Sequence, residues 1–407
     1  MGTDVTLPGR FEVPFTQSKT IRQNCLGTEL TSNDAERRKQ LMSAKIQERI
    51  KELETQLSTA KYNKATQHAF GVMKAQLAKL KGTVEKRAGV GKSDSGWFVK
   101  KTGDGTVVLL GFPSVGKSTL LNALTGAKSK VAAYQFTTLT VVPGVMVYNK
   151  AKIQILDVPG IVSGAASGSG RGKEVLAMVR NSDLILILID ALNPEHYQAI
   201  LDEVYETGVR INQRAPDVKI TKKSKGGLDI GATVKLTKLN YETISAILRE
   251  FKINNADVMI RTDIDVDQLI DVIEGNRKYI PAITVVSKMD LATPAQIEHI
   301  KQTVKPDVFV SAEQGKNMQK LKETIFQGLR FLRLYLKEVN KKPDLDEPLV
   351  LTQGATLRTV CDKLHRDFVK KFRFARIWGK SAKFPGQQFR NLDKPLEDGD
   401  IVEIHLS

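Results

Sequence analysis

The stretch that most restricts what this chain can fold into is Gly111-Phe-Pro-Ser-Val-Gly-Lys-Ser118, set between the apolar run 106–110 and the helical pattern 119–124. Strand, glycine-bounded loop and helix follow one another with the spacing G-x-x-x-x-G-K-[ST], which predicts a phosphate-binding loop. Glycines let successive backbone N–H groups face a phosphate, and a helix starting near Lys117 adds the positive end of its dipole. Lys117 is placed to reach β- and γ-phosphates, and the Ser118 hydroxyl to ligate Mg2+. Gly111, Ser114, Val115, Gly116 and Thr119 complete the expected nucleotide cradle.

A chain of 407 residues exceeds what one hydrophobic core supports, so two to four units are expected, as about 100–200 residues go to a domain. No run of apolar residues is long enough to span a bilayer, and the first residues lack the apolar core of a secretory signal. Cys25 and Cys361 are too few for a disulfide framework and have no metal-ligand spacing, which suits a reducing cytoplasm. The opening Met1-Gly2 fits the short myristoylation pattern, which is too common to carry weight.

The net charge of +17 is concentrated. Residues 37–92 hold 14 Lys and Arg against 4 Asp and Glu, residues 358–383 hold 9 against 2, and the rest of the chain balances. Two basic stretches flanking a nucleotide-binding core point to a polyanion, most simply nucleic acid.

Residues 1–40 show no sustained period and read as a flexible leader, with Met42 as a candidate for a shorter start. From Met42 the apolar positions 42, 46, 50, 53 and 57 line one helix face, and 70, 73, 77, 80 and 84 line another, giving an expected helical hairpin and connector over 41–100. Strands alternating with helices then predict a doubly wound α/β domain over 101–345. Its rhythm is interrupted at about 210–279, where an inserted subdomain with helices around 241–251 and 265–274 is expected. A long helical run over 318–337 is expected to close the domain. Residues 341–348 read as a linker to a small α+β module over 346–407, with a helix over 356–368.

Beyond the phosphate loop, Tyr134-Gln-Phe-Thr-Thr-Leu139 lies where a γ-phosphate-sensing switch belongs. Asp157-Val-Pro-Gly160 ends a strand and offers a carboxylate near the metal and a Gly160 N–H for the γ-phosphate. Ser287-Lys-Met-Asp290 follows a buried strand. Asp290 can accept from the N1–H and exocyclic amine of guanine, a donor pair that adenine lacks, with Lys288 along the ring. Ser311-Ala312 is placed to present a backbone N–H to the guanine O6. The set predicts GTP and GDP as ligands.

These residues, with Val131-Ala-Ala-Tyr-Gln-Phe-Thr-Thr-Leu-Thr140, Asn255-Ala-Asp-Val258 and Glu274-Gly-Asn-Arg277, resemble the developmentally regulated GTP-binding proteins of the Obg-like GTPase branch from about residue 42 onward. The resemblance implies a P-loop GTPase domain with a ribosomal-S5-domain-2-like α+β insert, a helical N-terminal domain and a C-terminal ubiquitin-like TGS β-grasp domain. It makes Thr138 the switch ligand of Mg2+, alongside Ser118 and Asp157. It also implies work on ribosomes, through rRNA or tRNA, in the cytoplasm, as a monomer with a regulatory protein partner.

Two departures stand out. Ser287 replaces the asparagine usual in the guanine motif, which is expected to weaken a buttress to the phosphate loop. Ile161 stands where many GTPases carry a water-orienting glutamine, so hydrolysis is expected to be slow and to need a partner or a monovalent cation such as K+. Arg171, in the glycine-rich stretch 164–172, reads more simply as solvated than catalytic. The competing expectations are an ATPase of the related Obg-like branch, and an RNA-binding scaffold in which hydrolysis is incidental.

Overall fold

The computed structural model describes residues 32–60, 63, 66–87, 103–125, 142–158 and 178–406. The leader up to residue 31, the connector 88–102, the switch residue Thr138, Gly160, Ile161 and the stretch 164–172 lie outside the described residues. The described residues up to 59 and those from 60 onward form separate units.

Helix α1 (Ser32–Thr59) belongs to the first unit. Its exposed Arg49–Glu52 pair is one turn apart at 2.7 Å, a contact of the kind that adds only a few tenths of a kcal/mol. Helix α2 (Gln67–Arg87) belongs to the second unit. The sequence assigns its packing face to Phe70, Met73, Leu77, Leu80 and Val84, all of which are only half-buried. A stripe of small residues, Gly71, Ala75, Ala78 and Gly82, faces the insert. A Cβ on Gly71 would sit 2.8 Å from the Thr243 methyl, so the missing side chain is what lets the helix approach.

The nucleotide domain begins with β1 (Gly105–Leu110), buried at every position, followed by α3 (Lys117–Thr125). Then come the antiparallel pair β2 (Val142–Tyr148) and β3 (Ala151–Asp157), and β4 (Leu184–Asp190), again wholly buried. After α4 (His196–Glu206), the short strand β5 (Val209–Ile211) leads into the insert. There β6 (Val218–Lys222), β7 (Leu228–Ala232), α5 (Tyr241–Glu250), β8 (Ala256–Ile260) and α6 (Val266–Glu274) make a three-stranded sheet, order β6-β8-β7, backed by two helices. The chain returns along β9 (Lys278–Ile280), parallel to β5, so exit and re-entry are stitched side by side.

Both insert helices start where the sequence says they should. Asn240 and Asp265 accept the N3 backbone N–H at each N-terminus, and Asp265 closes a full capping box with Gln268. Lys74 and Lys79 of α2 pair with Asp267 and Glu250, and Ala75 and Ala78 enter the insert core, so α2 serves as a third helix of that subdomain.

The α/β rhythm resumes with β10 (Ala282–Ser287), α7 (Pro294–Thr303), β11 (Val308–Phe309) and α8 (Met318–Gly328). The domain's sheet has the order β11-β10-β4-β1-β3-β2, parallel except for β2, with one apolar cluster on each face. Sheets covered on both sides need strands that are apolar at every position, which is why β1 and β4 read as continuous hydrophobic runs.

The expected helix over 318–337 ends early. The chain turns at Leu329 and Arg330, whose φ is +49°, and β12 (Phe331–Leu336) follows. Leu332, Leu334 and Leu336 point to one side and alternate with Phe331, Arg333 and Tyr335, a change from helical to strand period that the long leucine-rich run hides. Strand β12 is the second strand of the C-terminal sheet, so that module starts near residue 331 rather than 346. Residues 341–348, expected as an interdomain linker, connect β12 to β13 (Leu349–Thr352) within it. The expected helix 356–368 is two, α9 (Leu357–Leu364) and α10 (Arg366–Lys371), split at His365 in extended backbone. With β14 (Phe372–Trp378), β15 (Gln387–Phe389) and β16 (Ile401–Leu406) the sheet order is β13-β12-β16-β14-β15, with the parallel pair β12–β16 near its centre and α9 on one face, a β-grasp arrangement.

Candidate functional site

The site lies at the carboxyl ends of β1, β3, β4 and β10, where strand order reverses about β1 and an open α/β sheet forms its crevice. The loop leaving β1 is pressed onto β4. A Cβ on Gly111 would come within 2.7 Å of the Leu188 carbonyl oxygen, so no larger residue fits. Ser114 and Gly116 take φ values of +62° and +95°. A Cβ at Gly116 would meet nothing within 4 Å, so this glycine answers to backbone conformation and leaves its outer side open.

Lys117 opens α3, and its ammonium donates to the carbonyls of Gly111 at 3.0 Å and Phe112 at 2.9 Å. Burial pulls Lys117 below the ordinary lysine value, and the Asp157 carboxylate opposes that pull. Ser118 donates its hydroxyl to Asp157 Oδ2 at 2.7 Å. Asp157 ends β3 beside Leu109 of β1, so the sheet register itself delivers the carboxylate to the start of α3. A hydroxyl and a carboxylate, both hard oxygen donors, fit a magnesium ion, which Ser118 and Asp157 would hold from the protein side.

The strand end expected from the sequence to read the base is fastened to the phosphate loop through Ser287. Its buried hydroxyl lies 2.8 Å from the Val115 carbonyl oxygen in the phosphate loop and 3.0 Å from that of Ile189. A hydroxyl carries one proton, so it serves one of the two at a time. The buttress expected to suffer from the missing asparagine is therefore present, made by a shorter side chain on a strand that lies close to the loop. Asp290 accepts from the Ser311 hydroxyl, which holds its carboxyl below the usual aspartate range. Ser311 is itself fixed by a bridge to Lys316, and Met289 N–H donates to the Val310 carbonyl at 3.2 Å. Asp290 and Ser311 thus come together at the ends of β10 and β11, with Ala312 next in the chain.

Two partners escape a reading of the sequence alone. Lys288 is held at φ +55° and its ammonium donates to Asp190 Oδ2 at 2.7 Å. The signal was a carboxylate ending the apolar run 183–190. His196 stacks on Phe112 of the phosphate loop with centroids 4.2 Å apart. Its position at the first turn of α4 carries no such signal.

The motifs at 255–258 and 274–277 acquire a structural role. Asn255 Oδ1 accepts the Gly227 N–H and closes the insert's glycine loop. At the root of the insert, buried Asp271 receives two hydrogen bonds from Arg210, at 2.7 and 2.8 Å, and one from Arg277 at 2.8 Å, while Arg277 also reaches Glu274. Arg210 stacks 3.7 Å from the Tyr205 ring, and burial, reinforced by nearby carboxylates, pushes that phenol up to about 12.

Residues 106–222 match the model for 50S ribosome-binding GTPases, residues 225–331 the C-terminal region of the same domain, and residues 333–406 the TGS domain. The last match begins within β12, in accord with its place in the C-terminal sheet. An uncharacterized GTP-binding protein of Methanocaldococcus jannaschii is 52% identical over 363 residues, covering 88% of this chain and 92% of its own. Developmentally-regulated GTP-binding protein 1 of Xenopus laevis is 43% identical over 360 residues, and developmentally-regulated G-protein 3 of Arabidopsis thaliana 42% over 364, each covering 88% of this chain and 98% of its own. Among solved structures, the FeoB G-domain from Methanococcus jannaschii aligns over 56% of this chain and 99% of its own at 17% identity. Its TM-score of 0.32 is too low to carry weight.

Proposed function

The chain belongs to the developmentally regulated GTP-binding protein family, and on that premise we propose that it is a slow, Mg2+-dependent GTPase that switches between GTP and GDP on ribosomes. The observation that carries this reading is the linkage of Asp290 and Ser311 at the base-reading end, through Ser287 on β10, to the phosphate loop. A carboxylate held ionised is the acceptor that guanine requires. The match of residues 106–222 to ribosome-binding GTPases and the basic stretches at 37–92 and 358–383 support contact with rRNA or tRNA. Such work is done in the cytoplasm, by a monomer answering to a regulatory protein. Among the described residues no helix is long and apolar enough to cross a membrane.

In this reading Gly111, Ser114, Val115, Gly116 and Thr119 bind the phosphates, and Lys117 leaves its two carbonyls to neutralise charge on the transferring group. Water attacks the γ-phosphorus in line as the bond to the β-phosphate oxygen breaks. A magnesium ion, when bound, offsets charge on the phosphate oxygens. Ser118 and Asp157 are its protein ligands, with Thr138 as the switch ligand and Gly160 N–H as γ-phosphate sensor. Ile161 cannot orient water, so a partner or K+ supplies the acceleration.

Nucleotide titration tests the base choice. GTP and GDP are expected to bind well over tenfold tighter than ATP, and Asp290→Asn to shift preference toward xanthine nucleotides, whose O2 accepts where guanine donates. Equal affinity for ATP and GTP would sink the guanine reading in favour of an ATPase. Lys117→Ala is expected to abolish nucleotide-dependent ribosome co-sedimentation, and unchanged association would favour a scaffold.

A further inference from the structure

The C-terminal sheet buries one face. Leu334, Ala375, Ile377 and Val402 pack with Leu357 and Val360 of α9. On the other face, among the described residues, Val350 and Phe331 at the β13–β12 edge join the nucleotide domain's core cluster. Registers place the remainder of this second face without ambiguity. Phe374 pairs with His405, Arg376 with Glu403 and Trp378 with Ile401, and Lys337 follows the parallel pair Leu336–Val402.

Such a face is ordinarily polar. Here the Phe374 and His405 rings stack at 4.2 Å, and the Trp378 ring has the Lys337 ammonium 4.9 Å from its centre. Between them Glu403, only 2% exposed, holds His405 at 2.7 Å and also pairs with Lys337. The carboxylate neutralises the inner cation and orients it. Arg376 is half exposed at 3.9 Å from Glu403, and the exposed Arg373, Lys383 and Arg390 make no ion pair among the described residues.

We propose that this open face of β16, β14 and β15 is a platform for single-stranded RNA, with unpaired bases stacking on Trp378 and on the Phe374–His405 pair and phosphates meeting the arginine and lysine fringe. The inference deepens the proposed RNA contact and rests on it. Charge complementarity selects a polyanion, and partly exposed rings gathered on the neighbouring strands β14 and β16 select unpaired bases. A duplex keeps its bases stacked on one another and offers such rings no face, whereas a sheet carrying aromatics on neighbouring strands stacks two or three bases of a single strand.

The test uses the full chain loaded with GDP and a labelled twelve-nucleotide RNA without self-complementarity, against a twelve-base-pair RNA duplex. The chain has two tryptophans, so Trp97→Phe isolates Trp378 as the reporter. Single strands are expected to bind tighter than duplex and to quench Trp378. Trp378→Ala should weaken single-strand binding by about 5- to 150-fold with the salt slope unchanged, while Trp378→Phe, which keeps a ring, should hold it within a few-fold. Arg376→Gln should lower the salt slope by about one and leave the quenching.

Equal affinity for duplex, an unquenched Trp378, or a Trp378→Phe loss as large as that of Trp378→Ala would overturn the proposal. So would an acidic peptide competing as well as RNA, since that outcome assigns the face to a protein. Nothing in the titration depends on nucleotide turnover or ribosomes, so its failure would leave GTP-dependent ribosome association standing, and the reverse holds.

Discussion

Replacing Ser287 with alanine tests whether the base-reading strand and the phosphate loop act as one unit. The hydroxyl donates to the Val115 carbonyl at 2.8 Å or the Ile189 carbonyl at 3.0 Å, and Val115, Ile189 and Ser287 are all buried. A hydrogen bond of this kind contributes about 1 kcal/mol net, and leaving a buried acceptor without its donor costs about 1–3 kcal/mol. The Ile189 carbonyl lies in a regular strand, so the loss falls mainly on the Val115 carbonyl and the loop conformation that presents N–H groups to phosphate. At about 1–2 kcal/mol, GDP affinity should fall roughly 5- to 30-fold. Fluorescent-GDP titration measures it, with a thermal melt in parallel. Ser287→Asn, the residue usual at this position, should return affinity to within a few-fold. A Ser287→Ala variant that melts lower but binds GDP within twofold of the parent would show that the bond serves the fold alone, and the coupling would be refuted.

Asp271→Ala should destabilise the root of the insert by about 3–5 kcal/mol, because Arg210, itself buried, loses a two-pronged partner; chemical denaturation would read this as early loss of the insert. Gly71→Val should cost about 1–3 kcal/mol by forcing α2 off Thr243, seen as a lower denaturation midpoint and faster proteolysis near α2, whereas Gly82→Ala, with 3.7 Å to the nearest atom, should be tolerated. Burial pushes Glu403 up, but hydrogen bonds from Lys337 and His405 outweigh it and hold the carboxyl below its ordinary value. A carboxyl lowered in the folded state stabilises above its unfolded value, about 4.5, and that contribution fades as pH falls through the folded value. Melting of the C-terminal module should therefore drop on acidification below about pH 4.5, and Glu403→Gln should flatten that dependence.

The phosphate loop, the guanine motif and the α/β alternation were legible because each is local. A strand, a glycine turn and a helix start are dictated by a few neighbouring residues, and Asp290 follows a strand whose burial its composition announces. The insert helices were legible for the same reason, through their local helical patterns around 241–251 and 265–274. The switch residues Thr138 and Gly160 rest on sequence and family resemblance.

Tertiary structure decided what depended on distance along the chain. Asp190 meets Lys288, Ser287 meets Val115, and Arg210 meets Asp271 only after strands far apart in sequence lie side by side. The face that α2 uses was misread because large apolar residues dominate a periodicity count, while close helix approach is won by small ones such as Gly71 and Ala75. The start of the C-terminal module was misread because Phe331–Leu336 has the composition of a helix end and takes strand form only by pairing with β13 and β16. Sequence alone determined the chemistry, since side-chain type and local spacing set what can bind a guanine nucleotide. The fold decided which charges were consumed internally and which were left to face a partner, because pairing depends on proximity that no local pattern records.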